Sequence, residues 1–313
     1  MRPPLGIFGL GSCLFEPISI EATREYRGFR TYARAGAGDR PSTMAAAAAA
    51  AALADAGVAR DEVELVIFVG TTKDHGGGFS MGTELVRLLE LGGHAVGLDV
   101  AYGCAGVLPG LDIARGWLAA HDHRYAIIVS AEQWSHTIAR DDPHDWILWH
   151  YSDGAAAAVV GLEHGAGPRA ATTFLGGVYR SRGKYTRRIT MEHEEGAPRR
   201  RVDRAPLGEL TRAYLDALGD VIREAIGRWQ ARPGFVVSTQ MTPAVMRELA
   251  AIAGVAQDRV VITGHELGHL GSGDVLLGLL RLKQAALCDA DILGVFHTPW
   301  ATGAAVFRPG RPA

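Results

Sequence analysis

The chain has 313 residues, 48% of them hydrophobic, and a formal net charge of -2. It is long enough to bury a full core, and it has no general field for nucleic acid or an anionic membrane. Its three cysteines, Cys13, Cys104 and Cys288, show neither CxxC spacing nor an even count. That excludes a disulfide framework and a thiolate zinc cage and points to a reducing compartment. The apolar run near the N-terminus is too short for a signal peptide and none reaches membrane-spanning length, so a cytoplasmic chain with no membrane partner is expected.

Leu5 to Leu10 reads as a strand, and Glu21 to Arg40 as a connection without clear structure. Ser42 or Thr43 is placed to cap a helix over the alanine-rich Met44 to Ala56, which Gly57 stops. Val63 to Val69 is an apolar run suited to a strand buried on both faces. Phe79 to Leu91 reads as a helix and Ala95 to Val100 as a strand. Cys104 opens the next helix, followed by strands at Tyr125 to Ser130 and Gly154 to Val160. In the second half, Leu207 to Trp229 has helical spacing, Phe235 to Ser238 is a strand and Met246 to Ile252 a helix. Arg259 to Thr263 is a strand, Gly271 to Ala286 a helix, and Ile292 to Phe296 and Gly303 to Phe307 strands. Alternation of this kind predicts an α/β protein with helix-covered sheets.

The spacing also hints at duplication. Cys104 and Ile127 lie 23 positions apart, as do His269 and Ile292, and the first half carries an extra loop of 16 residues before its next strand. If the halves are related, Cys104 and His269 occupy equivalent helix N-termini facing one another. A cysteine at that position is favoured as the thiolate, which makes Cys104 the candidate nucleophile. A neutral His269 facing it is the candidate base, with Asp274 a possible orienter. His265 to His269 spells HExxH, but a zinc protease needs both histidines on one continuous helix face. Gly264, Gly268, Gly271 and Gly273 make this stretch a loop, and Val275 stands where a third ligand would fall, so no metal is expected.

Taken in order, Ser42-Thr43-Met44, VELVIFVGTT at 63 to 72, DVAYGCAG at 99 to 106, SAEQWS at 130 to 135, YSDGAAAAVV at 151 to 160 and ATGAAVF at 301 to 307 resemble the ketoacyl-ACP synthase III branch of the thiolase-fold condensing enzymes. The resemblance implies an α/β, five-layered αβαβα fold of two similar halves, divided as 1–165 and 166–313. It also implies a homodimer, an acyl-enzyme on Cys104 and a tunnel for a phosphopantetheine arm. Where the family has its catalytic histidine this chain has Thr239-Gln240, and where it has its asparagine this chain has His269. His297-Thr298-Pro299 replaces a glycine run. Pro299 has no N–H, leaving the Thr298 backbone to complete an oxyanion hole with Cys104. Gln240 or His297 is available as a substitute donor.

By the same resemblance Phe79 crosses the dimer interface. The basic run from Arg180 to Arg204, including Arg180, Arg182 and Lys184, offers contacts for CoA phosphates or an acyl carrier protein, as does Arg247. Asp153 and Glu132 are read as carboxylates that hold the fold. The expected activity is acyl transfer from an acyl-CoA or acyl-carrier-protein thioester through Cys104 to a small-molecule nucleophile, with no bound cofactor and no nucleic-acid partner. The alternatives are decarboxylative condensation and a non-catalytic partner subunit.

Overall fold

A computed structural model describes residues 3–21, 26–140, 146, 148–163, 170–187, 189–194, 197–202, 207–287 and 289–310. Cys288 and part of the basic run lie outside them. The first half contributes β1 (Leu5–Cys13), a small hairpin of β2 (Pro17–Ser19) and β3 (Thr31–Ala33), α1 (Pro41–Ala56), β4 (Val63–Phe68), α2 (Met81–Leu88), β5 (Val96–Asp99), α3 (Val107–His121), β6 (Tyr125–Glu132) and β7 (Gly154–Leu162). The second contributes β8 (Thr172–Ser181), a hairpin of β9 (Ile189–Glu194) and β10 (Ala197–Val202), α4 (Leu207–Trp229), β11 (Pro233–Ser238), α5 (Pro243–Ala253), β12 (Val260–Val261), α6 (Gly264–Leu267), α7 (Gly273–Gln284), β13 (Asp291–Thr298) and β14 (Ala301–Pro309).

Ten strands join in the order β12-β11-β13-β14-β8-β1-β7-β6-β4-β5. Reading outward from the β1–β8 junction, each half repeats the same pattern: two antiparallel pairings, then two parallel ones. The fold is therefore two similar halves, in which α3 and α7 are equivalent. Their apolar faces share one central core with residues of both halves of the sheet. A second core lies under α1 and α2, and a third under α4 and α5. Outer helices, one half of the sheet, α3 with α7, the other half of the sheet and outer helices make the five-layered αβαβα arrangement.

The alanine tract owes its composition to close packing rather than to low complexity. A Cβ on Gly9 would stand 2.2 Å from the Ala52 carbonyl, and one on Gly11 2.3 Å from that of Ala48. Glycine on the strand and alanine on the helix let the two backbones approach, burying Ala45, Ala48, Ala49 and Ala52 completely. The helix is capped two residues before Ser42 and three before Thr43. Pro41 is its first residue and Arg40 its N-cap, while the Ser42 hydroxyl is drawn off to Asp74 at 2.5 Å. Gly57 ends it in the left-handed conformation, as expected.

Other elements are shorter than the sequence suggested. The helix after Phe79 covers only Met81–Leu88, and the strand expected over Arg259 to Thr263 shrinks to Val260–Val261, with a turn of α6 following. β8, which the sequence reading passed over, forms the half of the junction facing β1. Among the described residues no helix is long and apolar enough to cross a membrane.

Candidate active site

Cys104 does not open α3 directly. It sits in a 3-10 turn, Gly103–Ala105, with Gly106 as N-cap and Val107 as the first α-helical residue. Gly103 makes this turn possible with a φ of 56°, and the Trp300 indole covers it, 2.8 Å from where a Cβ would be. In the other half, His269 precedes α7 by a similar interval, as the duplication requires. The chain reaches it through Gly268, at φ 69°, where a Cβ would stand 2.3 Å from the His150 carbonyl.

His269 is held at both ends of its backbone by the first half: its N–H donates to His150 O at 2.7 Å, and its carbonyl accepts from Ser152 N at 2.9 Å. Tyr151 packs edge-on against the ring at 4.5 Å. Because Gly268 is committed to a conformation only glycine takes easily, Gly268→Ala should destabilise the chain by more than about 2 kcal/mol. Chemical denaturation measures this, with a loss of acylation expected alongside.

The imidazole is completely buried. Its Nδ1 pairs with Asp274 Oδ2 at 2.5 Å, and that carboxylate also accepts from Gln240 N at 2.7 Å and Leu270 N at 2.9 Å. Asp274 is thus fixed by three donors and orients the ring. Nε2 has no conventional partner among the described residues, and the Cys104 thiol is the group facing it. Burial alone would lower the proton affinity of His269. The charges of Asp274 and Cys104, with their hydrogen bonds, outweigh burial and push its pKa up to about 10. Where the sequence suggested a neutral imidazole, the pairing with Asp274 favours the protonated ring.

Neither substitute donor suggested by the sequence is available in this arrangement. The Gln240 amide donates to Ser238 O at 2.8 Å and Val261 O at 3.2 Å and accepts from Gly264 N at 3.1 Å, so it ties β11 to β12 and α6. His297 lies on the α4 side of β13, its ring edge-on to Tyr214 at 5.1 Å. Thr239 is buried beneath it, its hydroxyl accepting from His297 N at 3.3 Å. Thr298 ends β13, and its hydroxyl accepts from Ala301 N at 3.0 Å to close the hairpin that carries Trp300.

The remaining candidates scatter. Phe79 is half-buried on the α2 side against His75. Arg180 is paired with Glu224 at 2.5 Å, and Arg247 is exposed on α5. Arg182 stays near the site through its N–H to Trp300 O at 2.6 Å, and with Lys184 it flanks the Tyr185 ring. Glu132 accepts from Thr71 N and Thr72 N, and Asp153 from Ala35 N and Ser135, which matches their reading as structural carboxylates. His150, Tyr151 and Trp134 were missed, because they lie in the irregular stretch between β6 and β7 where no periodicity marks a buried face. Cys104 packs against the cluster formed by Trp134, Ile138, Leu148 and Tyr151.

HExxH fails as a metal site on geometry. His265 is exposed at the end of a four-residue helix, Gly268 breaks that helix, and His269 is buried beyond it. Chelator treatment should leave activity unchanged. About one zinc per chain, lost together with activity, would contradict this.

The family model for 3-oxoacyl-[acyl-carrier-protein (ACP)] synthase III matches residues 98–177, which include Cys104 and its turn. A beta-ketoacyl-[acyl-carrier-protein] synthase III of Rhizorhabdus wittichii is 26% identical over 277 residues, covering 86% of this chain and 83% of its own. The chain is a ketoacyl synthase III-like protein of the thiolase fold. Among solved structures, the priming beta-ketosynthase of the R1128 polyketide biosynthetic pathway matches this synthase III-like chain with a TM-score of 0.84 at 22% identity, over 99% of this chain and 98% of its own. ChlB3, described as an "aceyltransferase", matches with a TM-score of 0.81 at 19% identity, over 98% of each chain. At these identities the structural likeness establishes the fold.

Proposed function

We propose that this synthase III-like chain is an acyltransferase that loads an acyl group from a CoA or acyl-carrier-protein thioester onto Cys104 and passes it to a small-molecule nucleophile. The observation that carries this reading is the buried Asp274–His269 pair aimed at Cys104, in a site whose second family position holds Thr239. The Cys104 thiolate attacks the thioester carbonyl, with the backbone N–H groups of Cys104 and Thr298 taking the oxyanion. The donor thiolate leaves with the proton of the His269 imidazolium. Acyl-Cys104 carries no charge, so one of the influences that raised the His269 pKa is gone and the neutral ring becomes a base. It takes the proton of the acceptor's O–H or N–H as that atom attacks the acyl carbonyl, and the returning Cys104 thiolate restores the ion pair.

Decarboxylative condensation is the second reading, favoured by the synthase III relative and the priming ketosynthase. It requires two donors on an enolate oxygen, and the Gln240 amide is already spent on backbone. We place the division of the halves at 165/166 and a homodimer contact at Phe79, with Arg182, Lys184 and Arg247 toward the donor. Arg180 joins them only by giving up Glu224. A cytoplasmic role in polyketide or fatty-acid metabolism accords with the family. Intact-protein mass spectrometry with acetyl-CoA and acetyl carrier protein tests the first step: an acetyl adduct on Cys104 is expected, and no adduct with any donor would favour a non-catalytic partner subunit.

A further inference from the structure

The short stretch that holds His269 is itself held from its other edge. Tyr151 and His269 form an isolated parallel bridge, in which His150 O and Ser152 N face His269. Extended backbone turns its polar groups alternately to either edge, so the carbonyls of Trp149 and Tyr151 face away from His269. Both accept from one side chain. Arg140 donates from Nε to Trp149 O at 3.1 Å and from Nη2 to Tyr151 O. Its guanidinium supplies the donors that a neighbouring strand would otherwise give, and a charged donor makes the stronger bond.

The fork is fixed in its turn. The guanidinium carbon lies 3.7 Å from the centre of the Tyr32 ring on β3, a cation–π contact that sets where the fork stands. β3 also meets the same stretch directly, through Ala33 N to Ser152 Oγ at 3.0 Å and Asp153 N to Ala33 O at 3.0 Å. Asp153 and Arg34 are the charged groups facing Arg140. On the inner side, Tyr151 belongs to the cluster against which Cys104 packs, and its ring meets the His269 imidazole at 4.5 Å. Tyr151 thus stands in the wall shared by nucleophile and base.

We infer that Arg140 is a positioning residue for the reaction: by clamping the carbonyls of Trp149 and Tyr151 it fixes the backbone that sets the His269 imidazole against Cys104. The inference rests on the nucleophile and base of the transfer reading. It does not depend on the acceptor or on the choice between transfer and condensation.

Protonation of His269 reports where the ring stands. Burial lowers its pKa, and Asp274 and Cys104 overcome burial to bring it to about 10. His150, whose ring lies 6.3 Å away, is driven down to about 3 by burial and adds no charge. A ring that drifts from Cys104 keeps the burial and loses part of the compensation, so its pKa falls. Removing a cation would by charge alone raise it.

The test is a histidine NMR titration of the whole protein with neither acyl donor nor acceptor present, the His269 resonance being identified by its loss in His269→Gln. Arg140→Lys keeps the charge without the fork, and Arg140→Gln keeps neither. The His269 midpoint is expected to fall by about one pH unit in both, a roughly tenfold loss of proton affinity. An unchanged midpoint in Arg140→Lys, or a raised one in Arg140→Gln, would overturn the inference whatever the variants do to thermal stability. Should Arg140→Gln fail to fold, Arg140→Lys decides alone. A parent midpoint near the ordinary histidine value of about 6.5 would instead remove the pairing of His269 with Cys104, and the transfer reading would fall together with this inference.

Discussion

Cys104→Ala is expected to abolish formation of the acyl-enzyme while leaving the fold intact. The sulfur is one small, half-buried group in a turn shaped by Gly103 and Trp300. Alanine fits that turn, so the unfolding midpoint should stay close to that of the parent. The chemical loss is complete because no other described cysteine lies in this site. Cys13 pairs in β1 with Ala155 of β7 and packs with the core under α1 and α2, and burial raises its pKa, which disfavours the reactive thiolate there. Intact mass and a denaturation curve on the same sample test both halves of the expectation. A Cys104→Ala chain that still transfers acyl groups at the parental rate would remove the nucleophile from Cys104.

His269→Ala should slow discharge of the acyl-enzyme by roughly 10² to 10⁴, the range a positioned general base supplies. Loading should suffer less, since the turn at Cys104 and the backbone donors remain. The acyl-enzyme should therefore accumulate in the variant. In the parent, discharge should rise with pH as His269 gives up its proton, with a midpoint below the value of about 10 that it has when facing the free thiol. The sign for stability is opposite. The folded chain binds this proton up to about 10, whereas an unfolded imidazole releases it near 6.5, so the stabilisation is complete below about pH 6.5 and is lost as pH rises toward 10. Equal discharge rates in His269→Ala and the parent would show that another group is the base.

How much of this was legible in the sequence varies with the physics behind each feature. Long elements with clear apolar spacing, such as α4 and β6, were visible because burial on one or both faces writes a period into the chain. The duplication was visible because related halves keep the same distance from turn to strand. The boundaries at Pro41 and Val107 were not, since a residue's competing hydrogen bonds decide them: Ser42 bonds Asp74 instead of capping, and a 3-10 turn delays α3.

At the site, Cys104, His269 and Asp274 could be named from motif and spacing, and their assembly followed from the pseudo-twofold. The upward shift of the His269 pKa could not, because it depends on Asp274 and Cys104 outweighing complete burial. The contributions of His150, Tyr151 and Ser152 were equally hidden. They act through backbone atoms and packing from an irregular segment, and such contacts leave no pattern in the residue types.

The most direct test of transfer against condensation is rapid-quench mass spectrometry on acetyl-Cys104 enzyme mixed with malonyl-CoA and a nucleophilic acceptor such as hydroxylamine. The site as built, with His269 paired to Asp274 and the Gln240 amide committed to backbone, predicts acetyl transfer to the acceptor with malonyl-CoA recovered intact. Release of carbon dioxide with formation of acetoacetyl-CoA at the rate of acetyl-enzyme decay would contradict it.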